Sequence, residues 1–464
     1  MALIKSISGI RGTIGGQPGE DLTPLDIVKF AGAYSAWIKE RNKNCRQWKV
    51  VVGRDARPSG DMVNRLISGT LTASGIDVID LGLATTPTVE IAVTGLRANG
   101  GIILTASHNP KQWNALKLLN EQGEFLSDAD GKALLAIAEK SEFNFSEVDD
   151  LGQITYDDKT YTDEHIRAVL SLHLVDIDAI YKANFRVVVD AVNSVGGIAI
   201  PRLLASLGVN VIELNCTPNG QFPHNPEPLP EHLGEIAKAV PEKNADLGIV
   251  VDPDVDRLAL VCEDGSFFGE EYTLVAVADY VLGKTAGNTV SNLSSSRALK
   301  DITEKYGGQY FSSAVGEVNV VAEMKRVNAV IGGEGNGGVI YPELHYGRDA
   351  LVGVALFLSH LAQKKIKCSE LRAQYPKYFV SKNKITLSPD TDIDKILRKV
   401  KDKYSSFRIS DIDGIRVDFD KVKKWVHLRK SNTEPIIRIY AEAASEKEAS
   451  ELAKQVMELL MAEC

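Results

Sequence analysis

A unit that recurs along the chain restricts its fold more than any other feature. VVVGRDARPSG (50–60) is followed by ASGIDVIDLG (73–82), and VVVDAVNSVGG (187–197) is followed by ASLGVNVIELN (205–215). Each copy reads as a β-branched strand, a small-residue loop, a helix and a second strand. WKVVVG (48–53), FRVVVD (185–190) and DLGIVVD (246–252) are short, nearly continuous apolar runs, as in strands covered on both faces. LTPLDIVKFAGAYSAWIKER (22–41) predicts a helix with Thr23 as N-cap and Pro24 in its first turn. Strands alternating with helices imply βαβ units and mixed or parallel sheets, and the recurrence implies two domains built on one plan.

At 464 residues the chain is too long for one core, and domains of about 100–200 residues give three or four. The texture changes near 378. An isolated strand (KNKITLSP) and a charged helix precede three successive strands, DGIRVDF, KWVHLRKS and IIRIYAEA, and a closing helix follows. That pattern predicts an α+β domain unlike the rest.

The charge of −9 gives no electrostatic footprint for nucleic acid. Five scattered cysteines without C-x-x-C spacing argue against a disulfide framework or zinc site. MALIKSISGIRG has no apolar export core, and no run reaches the roughly 18 apolar residues of a membrane span. The expected compartment is the cytoplasm, with neither membrane nor nucleic-acid partners.

Four constellations can carry chemistry. In GGIILTASHNPKQWNALKLL (100–119) a buried strand delivers a Ser-His-Asn-Pro turn, with Lys117 following. Alone, this fits a structural turn as well as an exposed nucleophile or phosphate carrier. In DLGIVVDPDVDRLALV (246–261), Asp252, Asp254 and Asp256 alternate at a strand end. Three such carboxylates repel one another unless a cation joins them, and hard oxygen ligands suit Mg²⁺ or Ca²⁺. Arg257 occupies the position where a calcium-binding EF-hand loop needs glycine, which excludes that motif. In VIGGEGNGGVIYPELHYGRDAL (330–351), glycines surround Glu334 and Asn336, which suits either a close approach to a hydroxylated ligand or a plain turn. In RKSNTEPIIRIY (429–440), Arg429, Ser431, Asn432 and Thr433 offer the donors a phosphate needs, or a turn before a strand.

Together, in this order and spacing, TASHNP, the DxDxDR loop, the glycine loop and R-x-SNTEP resemble the α-D-phosphohexomutase family over essentially the whole chain. The resemblance implies four domains around a central cleft: three related α/β domains with mixed sheets (1–153, 154–262 and 263–378) and a smaller C-terminal α+β domain (379–464). It implies that Ser107 is a phosphoserine working with His108, and that Asp252, Asp254 and Asp256 bind Mg²⁺ with that phosphoserine as a further ligand. Arg257 and Lys117 then steady the transferring phosphoryl group, and Arg11 in SGIRG matches an active-site arginine. Glu334 and Asn336 take sugar hydroxyls, and Arg429, Ser431, Asn432 and Thr433 grip the distant phosphate.

The expected activity interconverts hexose 6-phosphate and hexose 1-phosphate through a bisphosphorylated hexose, by a monomer or homodimer. Phosphoglucosamine mutase is favoured over phosphomannomutase/phosphoglucomutase, and a metal-dependent sugar phosphatase is a more distant alternative. Three departures stand out. The sugar loop reads GEGNGG where relatives read GEMSGH or GEQSGH, so Gly338 replaces a histidine. Val315-Gly316-Glu317 stands where relatives often have Val-Gly-His or Val-Gly-Asp, and DPDVDR replaces DGDGDR. His345 is a candidate to compensate for the lost histidine.

Overall fold

The computed structural model describes residues 3–6, 9–157, 160–386, 393–430 and 436–461. Its four sheets follow one another along the chain, and the first three share one plan. In the first sheet, strand Trp48–Arg54 lies between two parallel neighbours, Ile76–Leu83 and Gly100–Leu104, and the latter turns back antiparallel into Trp113–Leu119. In the second, Arg186–Asp190 lies between Asn210–Leu214 and Leu247–Val251, which turns back into Leu258–Cys262. In the third, Asn288–Asn292 lies between Tyr310–Ser313 and Ala329–Glu334, which turns back into Gly338–Ile340.

The repeat seen twice in the sequence is therefore present three times. The three turn-backs are the Ser-His-Asn-Pro turn, the triple-Asp loop and the glycine loop. One recurring topology thus delivers three chemically different loops.

The first sheet has seven strands, extended at one edge by Gly9–Thr13 and Ile4–Ser6 and at the other by Ile154–Tyr156. That last strand pairs with Val78–Asp80, so the first sheet runs to 156 and past the expected boundary at 153. The fourth sheet, from Phe379–Thr386 to Arg408–Ser410, is antiparallel throughout. Helices Ile393–Lys403 and Glu446–Met461 accompany it, which is the α+β arrangement expected.

Local chemistry explains the elements. Helix Pro24–Arg41 starts where expected: Thr23 and Asp26 form a reciprocal capping box, which satisfies otherwise orphaned amides. Helix Ala350–Lys364 is buried over nearly its whole length because it is apolar all round. It packs on Glu270–Leu282, Thr160–Leu170 and Ile177–Ala183, so the second and third units share one continuous apolar core. The first and fourth units have cores of their own. No described helix is long and apolar enough to cross a membrane.

Candidate active site

The three turn-backs meet in a cavity of about 610 Å³, closed on one side by the fourth unit. Ser107, His108, Lys117, Arg11, Arg257, Glu334, Asn336 and Arg429 all line it.

Ser107 follows the buried strand Gly100–Leu104 and has φ 47°, a left-handed conformation uncommon outside glycine. Such strain persists only where neighbours enforce it, and here they do. The Ser107 amide donates to Thr105 Oγ1 at 2.9 Å. Arg57, wholly buried, donates to the carbonyls of Ser107, Asn109, Pro110 and Trp113, the last three at 2.7, 2.6 and 3.0 Å. Its Nε pairs with Asp55 at 2.9 Å, and Thr105 Oγ1 donates to the same carboxylate at 2.7 Å. The result is a rigid turn with Ser107 Oγ donating to Asp252 Oδ2 at 2.7 Å. His108 Nδ1 lies 3.4 Å from the same hydroxyl. Burial beside the Arg257 and Arg11 cations holds His108 well below its usual range, so its imidazole is neutral.

Asp252, Asp254 and Asp256 are buried, and one oxygen from each falls within 4.8 Å of the others. Val255 between them has φ 64°, a sharp outlier for a β-branched residue. The turn is fixed by the amides of Asp256 and Arg257, each 3.1 Å from Asp252 Oδ1. The first unit also grips it: Thr86 Oγ1 donates to Asp254 Oδ2 at 2.6 Å, and Lys117 Nζ sits 2.7 Å from the same atom and 3.4 Å from Asp256 Oδ2. Burial and the two neighbouring carboxylates push Asp252 well above the usual range. Asp256 is held far below it: burial opposes this, but Arg348, Lys117 and Arg257 prevail. Among the described residues, Asp254 Oδ1 and Asp256 Oδ1 are buried without a hydrogen-bond partner. Orphaned buried carboxylate oxygens are costly, and a donor set of clustered carboxylates fits a hard divalent cation.

Across the cavity, Glu334 Oε1 accepts from Asn292 Nδ2 at 2.7 Å and the Gly316 amide at 3.1 Å, and its Oε2 accepts from Arg348 at 2.8 Å. Asn336 caps the glycine turn through the Gly338 amide at 3.2 Å. Arg11 holds Asn109 Oδ1 at 2.8 Å, and Arg257 approaches Glu227 at 3.6 Å. Arg429 lies 3.3 Å from Asp413. Ser431, Asn432 and Thr433 lie outside the described residues.

His345 does not line the cavity. It packs behind it against Glu90 and Asp349, each at 3.3 Å, and His165 bonds to Asp349 at 2.8 Å. Despite its burial, these carboxylates push His345 up to about 10, while burial pushes Glu90 up to about 8. His345 therefore ties the first and third units together and does not replace the missing histidine.

Two residues that the sequence reading passed over prove central. Arg57 organises the Ser107 turn, and the only trace of it in the sequence is the charged stretch RDAR (54–57), an aspartate between two arginines. Arg348 reaches Asp256, Glu334 and Glu317 at 2.7, 2.8 and 3.0 Å.

Chemically, the cavity offers a serine hydroxyl fixed beside a cation-ready carboxylate cluster, cations that suit phosphate, and a carboxylate and amide that suit hydroxyl groups.

Comparison with known proteins agrees along the whole chain. Residues 3–145, 163–265 and 269–378 match alpha/beta/alpha domains I, II and III of phosphoglucomutase/phosphomannomutase, and 384–459 match its C-terminal domain. A phosphoglucomutase/phosphomannomutase of Thermococcus kodakarensis is 35% identical, covering 97% of this chain and 98% of that protein. A phosphoglucosamine/phosphogalactosamine mutase of Sulfurisphaera tokodaii is 32% identical, with 99% of each chain covered. The crystal structure of a phosphoglucomutase/phosphomannomutase family protein from Burkholderia thailandensis superimposes with a TM-score of 0.83 at 26% identity, covering 99% of this chain and 98% of that one. With every domain matched in order, the chain belongs to the phosphoglucomutase/phosphomannomutase family of α-D-phosphohexomutases.

Proposed function

We propose that this chain moves a phosphoryl group between C6 and C1 of a hexose through phosphorylated Ser107, and that glucosamine phosphate is its preferred substrate. The observation that carries the reading is the convergence on one cavity of the Ser107 hydroxyl, 2.7 Å from Asp252, with Glu334 and Arg429. Asp252, Asp254 and Asp256 would hold Mg²⁺ together with the Ser107 phosphate, and the ion, when bound, would withdraw charge from the phosphoryl group.

The residues then divide the work. A sugar hydroxyl displaces Ser107 Oγ at phosphorus: one P–O bond forms as the other breaks, and the hydroxyl proton is passed on to Ser107 Oγ. Neutral His108, 3.4 Å from that oxygen, relays the proton. Lys117, Arg257 and Arg11 stabilise charge on the transferring group. Glu334 and Asn336 accept and donate to sugar hydroxyls, and Arg429 with Ser431, Asn432 and Thr433 holds the phosphate not being transferred. The bisphosphorylated hexose then turns over, and its other phosphate returns to Ser107. Closure of the fourth unit excludes the water that would otherwise discharge the phosphoserine.

Treatment with EDTA is expected to lower turnover at least about 100-fold, with recovery on adding Mg²⁺, because removing such an ion forfeits several kcal/mol of charge stabilisation. Undiminished turnover after EDTA treatment would remove the metal from the mechanism.

The amino-sugar preference is supported by the name of the Sulfurisphaera relative. The Thermococcus relative supports a second reading, phosphomannomutase/phosphoglucomutase. Coupled assays on glucosamine 6-phosphate, mannose 1-phosphate and glucose 1-phosphate separate the two. The highest kcat/KM is expected for glucosamine 6-phosphate, and the lowest of the three there would overturn the preference. Steady release of inorganic phosphate without isomer product would instead indicate a phosphatase.

A further inference from the structure

Gly338 and Arg348 fit together in a way that neither residue reveals alone. A Cβ added to Gly338 would lie 2.3 Å from Arg348 Cδ, closer than atoms can pack, and would press at 3.0 Å on Arg348 Cγ and 3.1 Å on Asn336 Oδ1. Gly338 opens the strand Gly338–Ile340, so nothing in its own backbone demands glycine. The demand comes from the Arg348 side chain, which crosses directly over it.

That side chain ends among three buried carboxylates on three separate elements. Nη2 bonds to Asp256 in the acidic loop at 2.7 Å, Nη1 to Glu334 in the glycine loop at 2.8 Å, and Nε to Glu317 at 3.0 Å. A guanidinium has five N–H donors in a fixed fork, so two remain beyond these three bonds, and Arg348 lines the cavity. We infer that Arg348 is the positioning residue that fixes the acidic loop and the sugar loop relative to each other, and that glycine at 338 is required because it makes room for it. A histidine at 338 in this chain would meet Arg348 from its Cβ onward. The inference builds on the mutase reading for its substrate, but its geometry does not depend on it.

The test is a cycle of Gly338→Ala, Arg348→Ala and the double variant, with Arg348→Lys beside it. Each EDTA-treated protein is titrated calorimetrically with glucosamine 6-phosphate, mannose 6-phosphate and glucose 6-phosphate, and thermal unfolding is followed in parallel. Gly338→Ala is expected to weaken the best-bound sugar phosphate about 10-fold and to lower kcat about 10- to 100-fold, as loss of an orienting partner does. Arg348→Lys is expected to lose as much, since a point charge cannot serve three carboxylates at once. In the double variant, the alanine at 338 is expected to add nothing to the loss caused by Arg348→Ala.

Additive losses, or wild-type binding by Gly338→Ala, would overturn the inference. If Gly338→Ala unfolds, recovery of folding in the double variant supports the steric exchange, and continued unfolding overturns it. Failure of the mutase reading would show separately, as absence of isomer product from the wild-type enzyme, while the calorimetric part of the cycle needs no turnover.

Discussion

Ser107→Ala is expected to lower kcat at least about 1,000-fold while leaving the fold intact. Removing the nucleophile of a covalent route removes the route itself, and losses of this size and larger are typical of such groups. The stability change is expected to stay near 1 kcal/mol, the value of one hydrogen bond, here that to Asp252. The substitution also leaves the left-handed backbone at 107 unchanged, because Arg57 and Thr105 enforce it through main-chain atoms. Steady-state assays with added bisphosphorylated hexose measure the first effect, and chemical denaturation measures the second. Turnover within 10-fold of wild type would remove the phosphoserine from the account.

The second large effect is expected at Arg57, which touches no substrate. Arg57→Met leaves Asp55 buried and unpaired and strips donors from four carbonyls of the Ser107 turn. Breaking a buried pair in this way is expected to cost about 3–5 kcal/mol, read as a lower denaturation midpoint. Arg57→Lys separates positioning from stability. It keeps the charge beside Asp55, but an ammonium cannot reach Ser107, Asn109, Pro110 and Trp113 together. That variant is expected to fold, to keep KM within about 3-fold and to lose about 100-fold in kcat, as for a nucleophile displaced by about 1 Å. A lysine variant with wild-type kcat would show that the clamp does not set the position of Ser107.

Much of this architecture was legible in the chain, and the failures have physical causes. The repeat was read in two copies because Val50–Val52 and Val187–Val189 are apolar runs. The third copy, Asn288–Asn292, carries Thr289, Ser291 and Asn292 at buried strand positions. Their partners are Thr303, Tyr310 and Glu334, and such pairings are invisible to periodicity. Strand Ile154–Tyr156 is too short and exposed to announce its sheet.

The cleft residues named from motifs (Ser107, the three aspartates, Lys117 and Glu334) do converge, because each motif sits on an equivalent turn-back. Arg57 and Arg348 escaped because each acts through contacts with residues remote in sequence: Arg57 on a turn some 50 positions on, and Arg348 on a carboxylate 92 positions back. His345 misled for the complementary reason: it is close in sequence to the glycine loop, but the chain turns it towards Glu90.

The proposed reaction rests on Ser107 carrying phosphate, and the intact mass of the purified protein tests that most directly. After incubation with bisphosphorylated hexose, the account predicts a population heavier by one phosphate that disappears in Ser107→Ala. A protein of unmodified mass only, or a phosphorylated population that persists in Ser107→Ala, would contradict it.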